Sequence, residues 1–211
     1  MRFCGVLLLL ALLIPGCRKE EKGGGKIEMA TKGSGRESTA LEGKRVAMII
    51  AHEDFRDEEL LVPQRWLSDK GAKISIASTE LSEAKGMLGA RVTPDLLIKD
   101  VNPADYDIIV FVGGVGVQQI WDRADLKALA QKADSLGKPI AAICLAPVIL
   151  AKAGLLRGKQ ATVYESGSQH LISGGANYKP AGVLIDGRII TASGPAFAED
   201  FAKEIEKVLA R

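Results

Sequence analysis

Histidine is scarce in this chain, with two among 211 residues, and cysteine is hardly more common, with three. A zinc site needs three or four well-placed ligands, and neither His52 nor His170 has a cysteine or carboxylate at a recognised metal spacing. No metal is therefore expected. Charge of one sign is lacking too, because 28 Lys and Arg stand against 26 Asp and Glu for a formal net charge of +2. The basic residues are spread along the chain without an aromatic-basic stripe, which argues against nucleic acid as a partner. The apolar run at the N-terminus, Phe3–Ile14, holds about a dozen residues against the roughly 20 that cross a bilayer as a helix. No Gly-Lys-Ser/Thr follows a glycine loop and the spacing Gly-x-Gly-x-x-Gly is not met, so neither phosphate-binding fingerprint applies. No cofactor is expected, and there is no internal repeat.

What is present begins with a leader. Met1 and Arg2 form a short positive segment, Phe3–Ile14 an apolar one, and Pro15-Gly16-Cys17 a small-residue junction, the pattern of an export signal. Ile14-Pro15-Gly16-Cys17 resembles the bacterial lipoprotein cleavage box. That resemblance implies removal of residues 1–16, lipid on Cys17, and a membrane-anchored lipoprotein facing the periplasm or cell exterior. Residues 17–43 alternate in charge, carry Gly23-Gly24-Gly25 and almost no large apolar side chains, and are expected to be a disordered tether. Cys4 would leave with the leader and Cys17 would carry lipid, so Cys144 would be the one free thiol, with no internal disulfide to form.

Residues 44–211 are dense in Val, Ile, Leu and Ala, and roughly 170 residues suit one domain with a proper core. Strands are expected over Arg45–Ala51, Lys73–Ala77, Asp107–Val112 and Pro139–Ile143. Helices are expected over Glu58–Asp69, stopped by Gly71, over Asp122–Leu136, stopped by Gly137, and over Pro195–Leu209. Gly86–Ile98 reads as a small hairpin or excursion. Ala181–Ile185 and Arg188–Ala192 flank Asp186-Gly187, a strong hairpin turn. Strands alternating with helices imply an α/β fold with a mostly parallel sheet covered on both faces.

Ligands of such sheets bind beyond the carboxyl ends of the strands. Three segments bring chemistry to that edge: the stretch 52–59 after the first strand, Gly113-Gly114-Val115-Gly116 after the third, and Cys144 after the fourth. A thiol between a buried strand and the start of a helix faces unpaired amides that favour the thiolate, which predicts a lowered pKa. The alternative is that Cys144 is a small buried hydrophobe. Glycines after a strand expose successive amides that can hold an oxyanion, although such loops also arise for steric reasons alone. His52 sits at the correct edge but reads more readily as a packed loop residue. His170 lies in Gly167–Gly174, a polar, glycine-bounded stretch expected to be a loop able to fold over the site.

Taken together, Phe55-x-Asp57-x-Glu59-Leu60-x-x-Pro63, Val112-Gly113-Gly114, Ala141-Ala142-Ile143-Cys144-x-Ala146-Pro147 and Asp186-Gly187-x-Ile189-Ile190-Thr191-Ala192-x-Gly194-Pro195 resemble the ThiJ/PfpI superfamily. The match extends over nearly all of residues 44–211. It implies a flavodoxin-like three-layer sandwich with the cysteine on a strained nucleophile elbow. It further implies a buried, protonated Glu59 that hydrogen-bonds the cysteine sulfur, and an oxyanion site built from the amides of Gly114 and Leu145. A homodimer or higher homo-oligomer is also implied. Leu145 stands where peptidase-like members have histidine, so a Cys-His pair of adjacent residues is not available. Tyr164 stands where another branch has a histidine, and Ser193 where that branch has an arginine.

Two functions follow from the same residues. One is a cofactor-independent cysteine hydrolase or lyase acting on a small glyoxal-type carbonyl or amide, with Cys144 as nucleophile and Glu59 moving a proton, and with Tyr164, His170 and His52 as accessory candidates. The other is a thiol redox sensor or protective stress-response protein, whose oxidised sulfur Glu59 would hydrogen-bond.

Overall fold

The computed structural model describes residues 40–211. The leader, Cys17 and the tether up to residue 39 lie outside the described residues. The last four tether residues do not behave as a tether: Leu41 is fully buried and its amide donates to the Lys70 carbonyl at 2.9 Å. Residues 40–43 therefore belong with the fold expected from 44 onward.

The chain forms β1 (Arg45–Ile49), β2 (Glu53–Phe55), α1 (Asp57–Asp69), β3 (Lys73–Ser78), β4 (Ala84–Gly86), β5 (Arg91–Val92), β6 (Leu96–Leu97) and β7 (Ile108–Phe111). It continues through α2 (Val117–Ile120), α3 (Ala124–Ser135), β8 (Ile140–Ile143), α4 (Pro147–Lys152), β9 (Gln160–Ala161) and α5 (Ser168–Ser173). The last elements are β10 (Asn177–Tyr178), β11 (Val183–Asp186), β12 (Ile189–Ala192) and α6 (Ala198–Leu209). A seven-stranded sheet runs in the order β11-β12-β8-β7-β1-β3-β6, parallel throughout except for the β11–β12 hairpin. Every residue of β7, β8 and β12 is buried, as strands with both faces covered must be. The helices fall into two packed groups, α1 with α6 and α3 with α4 and α5, the layers of a flavodoxin-like α/β sandwich.

Gly71 and Gly137 end α1 and α3 in the same way. Each takes a left-handed φ, 97° and 71°, and in each case the two amides after the helix turn back onto its last carbonyls. That closure satisfies carbonyls a helix end leaves orphaned, and glycine adopts it without a Cβ penalty.

Several short elements depart from the sequence expectation, the strands β2, β9 and β10 among them. The expected excursion begins earlier, at Ala84, and its strands join β2 in a three-stranded sheet. Its end, Leu96–Leu97, becomes an edge strand of the main sheet. The short helix α2 follows the glycine loop, and the stretch containing His170 is helix α5 rather than a loop. Elements of two to six residues are too short to show a hydrophobic period, which is why the pattern misses them.

The chain crosses from β1 to β3 on one side and later to β7 on the other, so the strand order reverses between β1 and β7. The carboxyl ends there open the crevice in which α/β sheets place their ligands.

Candidate active site

Cys144 follows β8 directly and holds a φ of 61°, one of two non-glycine residues among those described with a positive value. A left-handed backbone costs an L-residue about 1–2 kcal/mol and persists only where its surroundings impose it. Here the Cys144 amide donates to the Ala192 carbonyl and its carbonyl accepts from the Tyr164 amide, both at 2.9 Å. The side chain is nearly buried, with 7% exposure.

Glu59 lies in the first turn of α1 and is completely buried. Neither carboxyl oxygen has a well-formed hydrogen bond; the polar groups beside it are the Cys144 thiol and the Gly113 amide. The approach of the two side chains depends on Gly113, where an added Cβ would lie 2.5 Å from the Cys144 Cβ and 2.6 Å from Glu59 Oε2. The next residues are packed as tightly. Gly113 accepts from the Arg56 amide at 3.0 Å, and a Cβ at Gly114 would lie 2.5 Å from that amide nitrogen. The loop after β7 is thus bolted to the segment that leads into α1.

Burial pushes the Glu59 carboxyl from 4.5 up to about 8, so at neutral pH it keeps its proton and can act as a donor. Burial also pushes the Cys144 thiol up to about 12, and a charge on Glu59 adds to the rise. The lowered thiol pKa expected from the helix start is therefore not found. The following helix has only six residues, and loss of solvent outweighs the amides of Gly114 and Leu145 that favour the thiolate.

A cavity of 270 Å³ is bordered by Cys144, Glu59, Gly114, Leu145 and Tyr164. A neighbouring cavity of 550 Å³ shares Tyr164 and Pro195 with it but touches neither Cys144 nor Glu59. The chemistry belongs to the smaller one. The two histidines lie elsewhere. His170 sits on α5 with its ring 4.9 Å from that of Trp121, and His52 Nε2 is 3.3 Å from Ser82 Oγ with its Nδ1 buried and unpaired. Among the described residues no three His, Cys, Asp or Glu side chains are grouped to hold a metal ion.

Sequence reasoning missed four residues of the cavity wall, Arg56, Met87, Gln118 and Ser166. Arg56 occupies an unassigned position between Phe55 and Asp57, and its place just before the acidic turn of α1 was the available signal. Asp57 stands in the family motif without an assigned role. It is buried and accepts the amides of Leu88 and Ala90 at 2.8 and 2.7 Å, which fixes the excursion beside the site.

The chain is similar to known proteins. An uncharacterized protein of Methanocaldococcus jannaschii is 42% identical over 172 residues, 80% of this chain and 84% of the relative. A Pyrococcus horikoshii protein named a deglycase is 34% identical over 78% of this chain and 99% of its own length. A Caenorhabditis elegans protein named a glutathione-independent glyoxalase is 29% identical over 79% of this chain and 89% of its own. Among solved structures, a ThiJ/PfpI domain protein from Brachyspira murdochii superposes with a TM-score of 0.77 at 32% identity, covering 79% of this chain and 98% of that one. The DJ-1/PfpI family profile matches residues 44–208, the span that contains the whole of the site, and the chain belongs to that family.

Proposed function

We propose that the protein is a cofactor-independent cysteine enzyme that acts on small glyoxal-type carbonyl compounds or on adducts formed from them. The observation that carries this reading is the pairing of a backbone-strained Cys144 with a buried Glu59 across Gly113, at the floor of a cavity large enough for a small carbonyl compound. The deglycase and glyoxalase names of the relatives support the same substrate class.

In this reading the Cys144 sulfur adds to the aldehyde carbon, and the carbonyl π pair moves onto oxygen. Amides of Gly114 and Leu145 receive the developing charge, and Glu59 gives its proton to that oxygen while the thiol proton, released as the sulfur–carbon bond forms, passes to the Glu59 carboxylate. Conversion of a 2-oxoaldehyde and water into a 2-hydroxy acid oxidises one carbon and reduces its neighbour, so no external redox partner is needed. The test is consumption of methylglyoxal, of its lysine adduct and of simple amides by the wild type and by Cys144→Ala. Cys144-dependent loss of a carbonyl substrate supports the reading, and equal rates for the two proteins overturn it.

The lack of histidine on the described cavity wall favours one second reading, a redox-responsive thiol. Peroxide would oxidise the sulfur to sulfenic acid and be reduced to water. A Cys144 mass unchanged after mild peroxide would remove this reading.

We further propose, from Arg2, Phe3–Ile14 and Cys17, that the chain is exported and lipid-anchored, and that it self-associates. Mass spectrometry of the mature N-terminus and light scattering of the detergent-solubilised protein test these two points.

A further inference from the structure

Arg56 places a positive charge on the wall of the Cys144 cavity. Among the described residues it is the only basic side chain there; the other polar side chains are Gln118, Ser166, Tyr164, Cys144 and Glu59. Glu59 keeps its proton up to about 8, so at neutral pH the wall carries no opposing negative charge. The guanidinium is held in place rather than loose. Its Nε donates to Glu58 Oε2 at 2.8 Å and its Nη2 to Oε1 at 3.1 Å. Glu58 itself is more exposed than Arg56, 39% against 27% for the side chains, and does not border the cavity. Two of the five N–H donors of the fork are used in this way, and the others remain available to a second planar acceptor. The backbone of Arg56 is tied to the same loop, through its amide and the Gly113 carbonyl, that provides the Gly114 amide.

A pocket with one fixed cation, several neutral donors and a protonated carboxyl is a host for an anion. Its 270 Å³ leave room for a molecule of a few carbons, given that a water takes up about 30 Å³. We infer that the Cys144 site selects electrophiles that carry a carboxylate close to the carbon attacked, with Arg56 as the specificity-determining anchor. This rests on the reading of Cys144 as a nucleophile and adds to it a preference, within glyoxal-type compounds, for carboxylate-bearing members over neutral ones such as methylglyoxal. Arg56 would dock the carboxylate while the sulfur reaches the neighbouring carbonyl carbon.

The test uses two alkylating reagents of nearly the same shape, iodoacetate and iodoacetamide, on the full chain, with modification of Cys144 followed by peptide mass spectrometry. In both, the sulfur–carbon bond forms as iodide leaves, so turnover is not required. The quantity read is the ratio of the iodoacetate rate to the iodoacetamide rate, relative to the same ratio for N-acetylcysteine. The wild type is expected to exceed the free thiol by about tenfold or more, the value of a hydrogen bond to a charged group. Arg56→Gln should bring the ratio down to that of the free thiol, Arg56→Lys should keep it above Arg56→Gln, and the wild-type preference should fall as salt is raised. A wild-type ratio no higher than that of the free thiol, a ratio unchanged in Arg56→Gln, or a salt-insensitive preference overturns the inference. A Cys144 inert to both reagents would instead sink the nucleophile reading on which it rests.

Discussion

Between Cys144 and Glu59 stands Gly113, and its missing side chain is what lets the thiol and the carboxyl meet. A Cβ there would press on both groups at once, from 2.5 and 2.6 Å. Gly113→Ala is therefore expected to separate the pair and to cut Cys144 alkylation by iodoacetamide at least tenfold while the protein stays folded by circular dichroism. Glu59 itself links the site to stability. In the unfolded chain its proton leaves near 4.5, and in the folded one near 8, so across that window the folded state holds the extra proton. Stability from this group is fully present below the lower value and is lost as pH rises through the upper one, with a slope of at most about 1.4 kcal/mol per pH unit. Urea midpoints at pH 5 and pH 8 should fall more steeply for the wild type than for Glu59→Gln. Equal slopes would show that Glu59 is not a proton-holding group in the fold. The pairing itself could not be read from spacing, because 84 residues intervene between Glu59 and Cys144; it entered only through the family resemblance. Arg56 was illegible for a related reason, since one arginine before an acidic turn looks like any surface residue until the loop after β7 closes against it.

At the scale of elements, the long ones obey their own periodicity. The apolar face of α6, with Phe201 and Ile205 fully buried, packs against α1 and the sheet, and Trp66 of α1 donates to Glu206 of α6 at 2.7 Å. Phe201→Ala is expected to cost about 3–5 kcal/mol by urea denaturation, the usual effect of emptying a core aromatic position. Gly137→Ala separates conformational from steric strain. Nothing lies within 4 Å of a Cβ added there, yet the φ is 71°, so a loss of about 1–2 kcal/mol should come from backbone alone. The core strands, the three longest helices and the Asp186-Gly187 hairpin were all legible because each is long enough, or its turn specific enough, to leave a pattern. Leu96–Leu97, α2 and α5 were not. Two-residue strands and single helical turns are set by the neighbours they pair with rather than by their own residues. The misreading of α5 mattered most, because a loop at His170 could have closed on the site, whereas a helix fixes its ring against Trp121.

Across the whole molecule, the fold gathers the ends of β1, β7 and β8 at one edge of the sheet, and the residues proposed for chemistry come from the segments that follow these three strands. This is why a short list of motifs scattered over the sequence becomes a single cavity, and why the general position of the site was legible before its geometry. The account turns on Cys144 acting as a nucleophile with Glu59 as its proton partner. Lactate formed from methylglyoxal by the wild type, Cys144→Ala and Glu59→Gln, each shown to be folded, measures that most directly. The account predicts steady lactate production by the wild type, background levels for Cys144→Ala, and a rate lowered about a hundredfold for Glu59→Gln, within the range of a lost general acid–base group. Lactate produced as fast by Cys144→Ala, or none produced by the wild type, would contradict it.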